Sequence, residues 1–245
     1  MTGLTATHLS VGYGADPVLS DLDFTVPEGR FTAVIGPNGC GKSTLVKSLS
    51  RVLTAEPSMV QLEGKPLQKL KPKLLAQRIA LLPQHPVVPD GVTVAGLVAR
   101  GRYPYHRPLK QWSADDPQAI AQALEDTGMT AFADFPIDEL SGGQRQRAWL
   151  AMVLAQQTQY VLLDEPTSFL DISHQIEVLR LCRQITANGR TVLAVLHDLN
   201  QAARYADQLV VMHRGSIVAQ GAPHDILTTE LITDVFGMES MIGSD

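Results

Sequence analysis

The sequence holds only two cysteines in 245 residues, Cys40 and Cys182. Neither has a metal-type partner close by in sequence, which argues against a disulfide frame and for a reducing compartment. A basic excess is also missing. There are 20 Lys and Arg against 25 Asp and Glu, a formal net charge of −5. That balance speaks against a nucleic-acid backbone as the main partner. No apolar run approaches the roughly 20 residues that a membrane helix needs. The opening residues, Met1-Thr2-Gly3-Leu4-Thr5, lack the charged and apolar regions of a signal peptide. Internal repeats, low-complexity stretches and sustained heptads are absent as well. A soluble, cytoplasmic protein is the expectation.

A hydrophobic fraction of 44% with 18% charged residues suits a packed globular chain, and 245 residues suit one α/β domain with an embedded subdomain. Alternating apolar positions over 5–11 and 18–26 read as strands, punctuated by Gly12, Gly14, Asp16 and Pro17. The run 31–35 reads as a buried strand, and 42–53 carries helical spacing at Leu45, Val46, Leu49 and Leu53. Further strands are expected at 79–82, 160–163, 191–196, 208–212 and 217–219, the last two flanking a turn at His213-Arg214-Gly215-Ser216. Helices are expected at 94–99, 116–127, 144–154, 174–187, 223–227 and 230–236. The segment 101–113, with prolines, basic residues and aromatics mixed, reads as an exposed loop between helices. The helix-rich stretch 89–157 reads as an insertion into a core made of 1–88 and 158–245. Lysines crowded into 65–73 read as a solvated surface.

The chemistry begins at Gly36-Pro37-Asn38-Gly39-Cys40-Gly41-Lys42-Ser43-Thr44, which matches G-x-x-x-x-G-K-[ST] between a strand and a helix. Its glycines let backbone N–H groups turn inward and form an anion nest at a helix start. In that pattern Lys42 reaches the β- and γ-phosphates, Ser43 offers a hydroxyl to Mg²⁺, and Thr44 reaches the α-phosphate. A helix start also lowers a thiol pKa, so Cys40 is either reactive or a tolerated small residue. The strand 160–163 runs into Asp164 and Glu165. A buried carboxylate at Asp164 needs a partner, which Mg²⁺ held through water would supply. Glu165 suits a general base, although a capping or salt-bridge acid would look the same. Pro166 forces a turn beside it.

Those two motifs, taken with Leu140-Ser141-Gly142-Gly143-Gln144 and Leu162-Leu163-Asp164-Glu165-Pro166-Thr167, resemble the nucleotide-binding subunits of ATP-binding-cassette (ABC) transporters over essentially the whole chain. The resemblance implies an α/β fold: a P-loop NTPase core with an antiparallel β subdomain and an inserted helical subdomain, one ABC ATPase domain over 1–245. It implies ATP and Mg²⁺ as ligands. Tyr13 would stack on adenine. Gln84, at a strand end, would reach Mg²⁺ and the attacking water. His197 would hold the γ-phosphate with Glu165 in line. Asp171, within Ser168-Phe169-Leu170-Asp171, would sense an opposite subunit, and Phe169 replaces the small residue commonest there. Two subunits are implied to pair head to tail. Ser141, Gly142, Gly143 and Gln144 of one would then face the nucleotide on the other's phosphate loop.

Within that family, Leu81-Leu82-Pro83-Gln84, Gly101-Arg102-Tyr103-Pro104, the run 140–157 and Leu196-His197-Asp198-Leu199-Asn200-Gln201-Ala202 are similar to ATPases of bacterial ferric-siderophore importers, ferric citrate included. Vitamin B12 and haem importers share the branch. The implied partners are a second copy of the chain, an integral-membrane permease dimer and, indirectly, a periplasmic or surface binding protein. The implied place is the cytoplasmic face of the bacterial inner membrane, with 101–113 near the permease. Members of the branch run slightly beyond Gly243-Ser244-Asp245, so a trimmed or a simply short end is the expectation. ABC-type heads that act on nucleic acid carry a very long coiled coil, and the stretch between Lys42 and Ser141 has no room for one.

Overall fold

Alternation of period two builds the first sheet. In β1 (Leu4–Val11), Leu4, Ala6, Leu9 and Val11 are buried, while Thr7, His8 and Ser10 face water. The computed structural model describes residues 3–14, 16–87, 91–106 and 113–239. The remaining strands are β2 (Leu19–Thr25), β3 (Phe31–Ile35), β4 (Val60–Leu62), β5 (Lys65–Pro66), β6 (Ile79–Leu82), β7 (Tyr160–Asp164), β8 (Thr191–Val195), β9 (Gln208–His213) and β10 (Ser216–Gly221). The helices are α1 (Lys42–Leu49), α2 (Pro72–Ala76), α3 (Val94–Arg100), α4 (Asp116–Asp126), α5 (Gly142–Ala155), α6 (Ile172–Ala187), α7 (Leu199–Tyr205), α8 (Pro223–Ile226) and α9 (Thr229–Phe236). The chain falls into two compact units, Met1–Leu70 with Thr191–Asp245, and Lys71–Arg190.

In the first unit, β2-β1-β4-β5 form an antiparallel sheet. The β1–β2 register shifts near His8 (φ 49) and Asp21 (φ 50), two left-handed residues that face each other. The His8 N–H donates to Asp23 Oδ1 at 2.8 Å, and its Nδ1 lies 2.7 Å from Asp21 Oδ1. The same unit holds the order β10-β9-β3-β8. Strand β3 lies between β8 and β9 and runs parallel to both. Every residue of β3 and β8 is buried, as in strands covered on both faces. The turn from β9 to β10 uses Arg214 (φ 46) and Gly215 (φ 82), the two left-handed residues of a tight hairpin. Glycine is obligatory at 215 for a second reason: a Cβ there would collide with the Val18 carbonyl oxygen.

In the second unit, β6 and β7 pair in parallel, with Leu82 opposite Leu163. Helices α3, α4 and α5 pack against one another. Leu97, Val98, Ala119, Ala123, Leu150 and Leu154 form their inner faces, and each fully buried Leu or Val contributes about 1.5–3 kcal/mol. Arg102 and Asp116 are buried there as an ion pair.

Several expectations need correction. Segment 101–113 is not simply an exposed loop: Gly101 and Arg102 are buried, and Tyr103–Tyr105 form a 3-10 turn. Its polar composition misled because the Arg102 charge is matched by Asp116 farther along the chain. Residues 107–112, the boundary near 89 and the C-terminal Gly243-Ser244-Asp245 lie outside the described residues. Helix α1 ends at Leu49 rather than 53 because Arg51 turns left-handed (φ 61) and the Val52 and Leu53 N–H groups return to the Lys47 carbonyl. Elements β4, β5, α2 and α7 were not expected. Lysines 65, 69, 71 and 73 are all exposed, as expected.

Candidate functional site

Strand β3 delivers Gly36 at its carboxyl end, and α1 begins six residues later at Lys42. Gly36 has φ 151, and a Cβ there would collide with the Met212 carbonyl oxygen of β9. The Gly215 N–H donates to the Cys40 carbonyl at 3.0 Å, so the β9–β10 hairpin braces the loop. Gly41, left-handed at φ 105, leads into α1, whose first N–H groups form an anion-binding helix start. The Lys42 side chain is buried, and its Nζ donates to the carbonyls of Gly36 at 2.8 Å and Pro37 at 2.9 Å. Asn38 and Gly39 are exposed at the tip, Ser43 is half-buried, and Thr44 is buried. Burial pushes the Cys40 thiol pKa up, outweighing the Lys42 charge and the local N–H groups. That direction favours the tolerated small residue over the reactive thiol at Cys40.

Two more candidates share this unit. Val34 pairs with Val195 across parallel strands, so His197 leaves the same end of the sheet as Gly36. His197 is exposed, and the next residue, Asp198, caps α7 by accepting the Gln201 N–H at 2.9 Å. Tyr13 is 63% exposed. Its ring meets α1 through Lys47, whose Nζ lies 5.7 Å from the ring centroid and 3.5 Å from the hydroxyl.

In the second unit, Asp164 closes β7 at 1% exposure. Because β6 and β7 run in register, Gln84 and Glu165 emerge from the same strand ends. Glu165 has φ 56, a left-handed backbone that costs a non-glycine residue about 1 kcal/mol or more. Such strain gathers at functional positions. Ser168 Oγ donates to Glu165 Oε2 at 3.0 Å. Phe169 is a second left-handed residue (φ 64), its side chain exposed and its ring 6.4 Å from that of His85. Asp171 caps α6, accepting the His174 N–H at 2.9 Å and the Ser173 hydroxyl at 2.8 Å. The His174 N–H first, then the Ser173 hydroxyl, hold the Asp171 carboxyl below the usual carboxylate range.

Ser141 and Gln144 form a capping box at the start of α5. The Gln144 N–H donates to Ser141 Oγ at 3.3 Å, and the Ser141 N–H donates to Gln144 Oε1 at 3.0 Å. Gln144 therefore holds the helix start, while Gly142 and Gly143 form the first turn of α5, the end of a helix that favours negative charge. A Cβ on Gly143 would lie 3.3 Å from Leu170 Cδ2. Gln146 Nε2 donates to the Pro166 carbonyl at 3.2 Å. The 141–144 helix start and the 166–171 turn therefore adjoin.

Within the first unit the phosphate loop, His197 and Tyr13 are assembled around β3 and α1. Within the second, Gln84, Asp164 and Glu165 share one set of strand ends, and 141–144 lies beside the turn that reaches Asp171. Sequence reasoning missed Lys47, His85, Gln146 and Ser168. Only Ser168 left a usable signal: a hydroxyl three residues after an acid at a turn start, where Ser and Thr favour local hydrogen bonds. Among the described residues, no helix is long and apolar enough to cross a membrane.

The model of the ABC transporter family matches residues 19–168. The ferric enterobactin transport ATP-binding protein FepC of Escherichia coli (strain K12) is 51% identical over 243 residues, covering 99% of this chain and 90% of that protein. The achromobactin transport ATP-binding protein CbrD of Dickeya dadantii (strain 3937) is 48% identical over 246 residues, covering 100% and 91%. The hemin import ATP-binding protein HmuV of Rhodococcus jostii (strain RHA1) is 43% identical, covering 96% and 80%. Among solved structures, the ADP conformation of MJ1267, an ATP-binding cassette of an ABC transporter, superposes with TM-score 0.83 at 25% identity, covering 96% and 98%. The fold is thus a P-loop NTPase core with an antiparallel β subdomain and an inserted helical subdomain, and the activity is hydrolysis of ATP. A phosphate loop braced by its own hairpin and a buried strand-end acid followed by a strained glutamate carry the same meaning as these likenesses: the chain belongs to the ABC transporter family, as one of its ATPases.

Proposed function

We propose that the chain powers import of an iron–siderophore-type chelate through a partner permease. The observation that carries this is the likeness to FepC and CbrD, proteins of ferric enterobactin and achromobactin transport, which spans 99% and 100% of the chain. It therefore takes in the helical segments as well as the hydrolysis motifs.

The residue roles follow from chemistry. Residues 36–44 cradle the phosphates, with the Lys42 ammonium exchanging its Gly36 and Pro37 carbonyl partners for phosphate oxygens. Tyr13 offers its exposed ring to adenine. Glu165 accepts the proton of the attacking water, His197 hydrogen-bonds the γ-phosphate, and Gln84 orients the water. The donor set suits Mg²⁺, a hard cation that prefers oxygen ligands: the Ser43 hydroxyl, the Gln84 amide oxygen and the Asp164 carboxylate, the last buried to 1%. When bound, Mg²⁺ neutralises charge on the phosphate oxygens.

Ser141 accepts its cap N–H through oxygen, which leaves the hydroxyl proton for an anion. With Gly142 and Gly143 it serves the nucleotide of a second copy, and Asp171 faces that copy. ATP then joins two copies and hydrolysis separates them. The functional division proposed is a core of 1–88 and 158–245 with a helical insertion at 89–157, the insertion meeting the permease. The working place is the cytoplasmic face of the cell membrane, and a binding protein outside delivers the cargo to the permease.

The test is capture of the tagged chain from detergent-solubilised membranes, followed by identification of the copurifying permease and assay of radiolabelled iron-chelate uptake in a deletion strain. A chelate permease and loss of siderophore-bound iron uptake are expected. Copurification with a permease of unrelated cargo overturns the proposal. The likeness to HmuV keeps haem as a second cargo, shown if haem uptake alone fails.

A further inference from the structure

Glu165 is restrained at two points. Its backbone is left-handed at φ 56, and its Oε2 accepts the Ser168 hydroxyl at 3.0 Å. The Ser168 N–H donates to the Glu165 carbonyl at 3.2 Å, so the same two residues close one turn through backbone and side chain together. Both residues are half-buried, where a hydrogen bond to a charged acceptor is stronger than in open water. Thr167 and Leu170 are buried on either side, at 9% and 8% exposure. Phe169, between them, is 83% exposed, and its ring lies against His85, the neighbour of Gln84.

We propose that Ser168 is a positioning residue for hydrolysis: its hydroxyl aims the Glu165 carboxylate. The inference rests on the reading of Glu165 as general base. The terminal torsion of a glutamate is broad, so the backbone alone does not fix which way its oxygens point. A donor at Oε2 sets the carboxylate plane.

The experiment is steady-state ATP hydrolysis by the full chain with its permease, together with ATP titration, for the unaltered protein and for Ser168→Ala, Ser168→Thr and Glu165→Gln. Ser168→Ala keeps the backbone turn and removes only the aiming hydroxyl. Its kcat should fall about tenfold, while KM and ATP affinity stay within about twofold. Ser168→Thr restores the hydroxyl and should recover most of the loss. Unchanged kcat in Ser168→Ala, or a threonine variant no better than alanine, overturns the proposal while leaving Glu165 as the base. Near-normal turnover in Glu165→Gln overturns the base assignment and this inference with it.

Discussion

Arg102 Nε donates to Asp116 Oδ1 at 2.7 Å, with the two side chains only 3% and 0% exposed. The same guanidinium donates to the Ala155 carbonyl at 2.8 Å and to Gln157 Oε1 at 3.0 Å, and it stacks 4.0 Å from the centre of the Tyr105 ring. One side chain thus ties the end of α3 to the start of α4 and the end of α5. Burial opposes ionisation of Asp116, but the Ser113 N–H and Arg102 outweigh it and hold the carboxyl below its ordinary value of 3.8.

Arg102→Met should destabilise the protein by about 3–5 kcal/mol, because it leaves a buried carboxylate without its cation. Adding Asp116→Leu should return most of that loss, since an apolar pair of similar volume avoids desolvation. Urea unfolding of the single and double variants checks both. The pair's pH dependence has a definite sign. The folded-state pKa is lowered, so its stabilisation is intact above 3.8 and is lost as pH falls through the folded value.

Gly36→Ala should abolish nucleotide binding at concentrations that saturate the unaltered protein. Its Cβ meets the Met212 carbonyl, a backbone atom fixed in the sheet, so the loop has to move. Titration with a fluorescent ATP analogue measures this. An affinity loss below about tenfold, about 1.4 kcal/mol, would mean that the loop yields without losing its shape.

Ser141→Arg should leave ATP binding by a single copy intact and block ATP-dependent pairing. The residue caps α5 in its own chain, so the cap loss costs about 1 kcal/mol and the fold survives. Its proposed ligand is on another molecule. Size-exclusion chromatography with ATP, in a Glu165→Gln background, separates the two outcomes.

His8 should titrate above 6.5, because it bonds Asp21 and feels the charge of Asp23. A raised folded-state pKa means that its stabilisation is complete below 6.5 and fades as pH rises through the folded value. Asp21→Asn should bring the His8 titration back toward its ordinary value by NMR. The drop in melting temperature between about pH 6 and about pH 8 should shrink in the same variant.

What the sequence reveals depends on how local the physics is. The phosphate loop was readable because its geometry is written in adjacent glycines between a strand and a helix. Strands β3, β7 and β8 were readable because burial on both faces leaves an unbroken apolar run. Arg102 was read as exposed because its partner, Asp116, is supplied by packing rather than by spacing. Helix α7 was overlooked because it is short and begins at a cap, Asp198, that reads equally well as part of the histidine motif. The Ser168–Glu165 bond was only half readable: the hydroxyl three residues after an acid is a signal, but the bond also depends on a left-handed glutamate, which no composition rule anticipates.

The placement of β3 has a consequence for how the chain is made. Its two sheet neighbours, β8 and β9, come from the last quarter of the sequence, and the Phe31 N–H meets Asp207 Oδ2 at 2.8 Å across 176 residues of chain. Contacts of such long range close late. On the ribosome, the glycines of 36–44 emerge long before the strands and hairpin that shape them. A nascent chain therefore carries the motif before the sheet neighbours that flank its strand have been made.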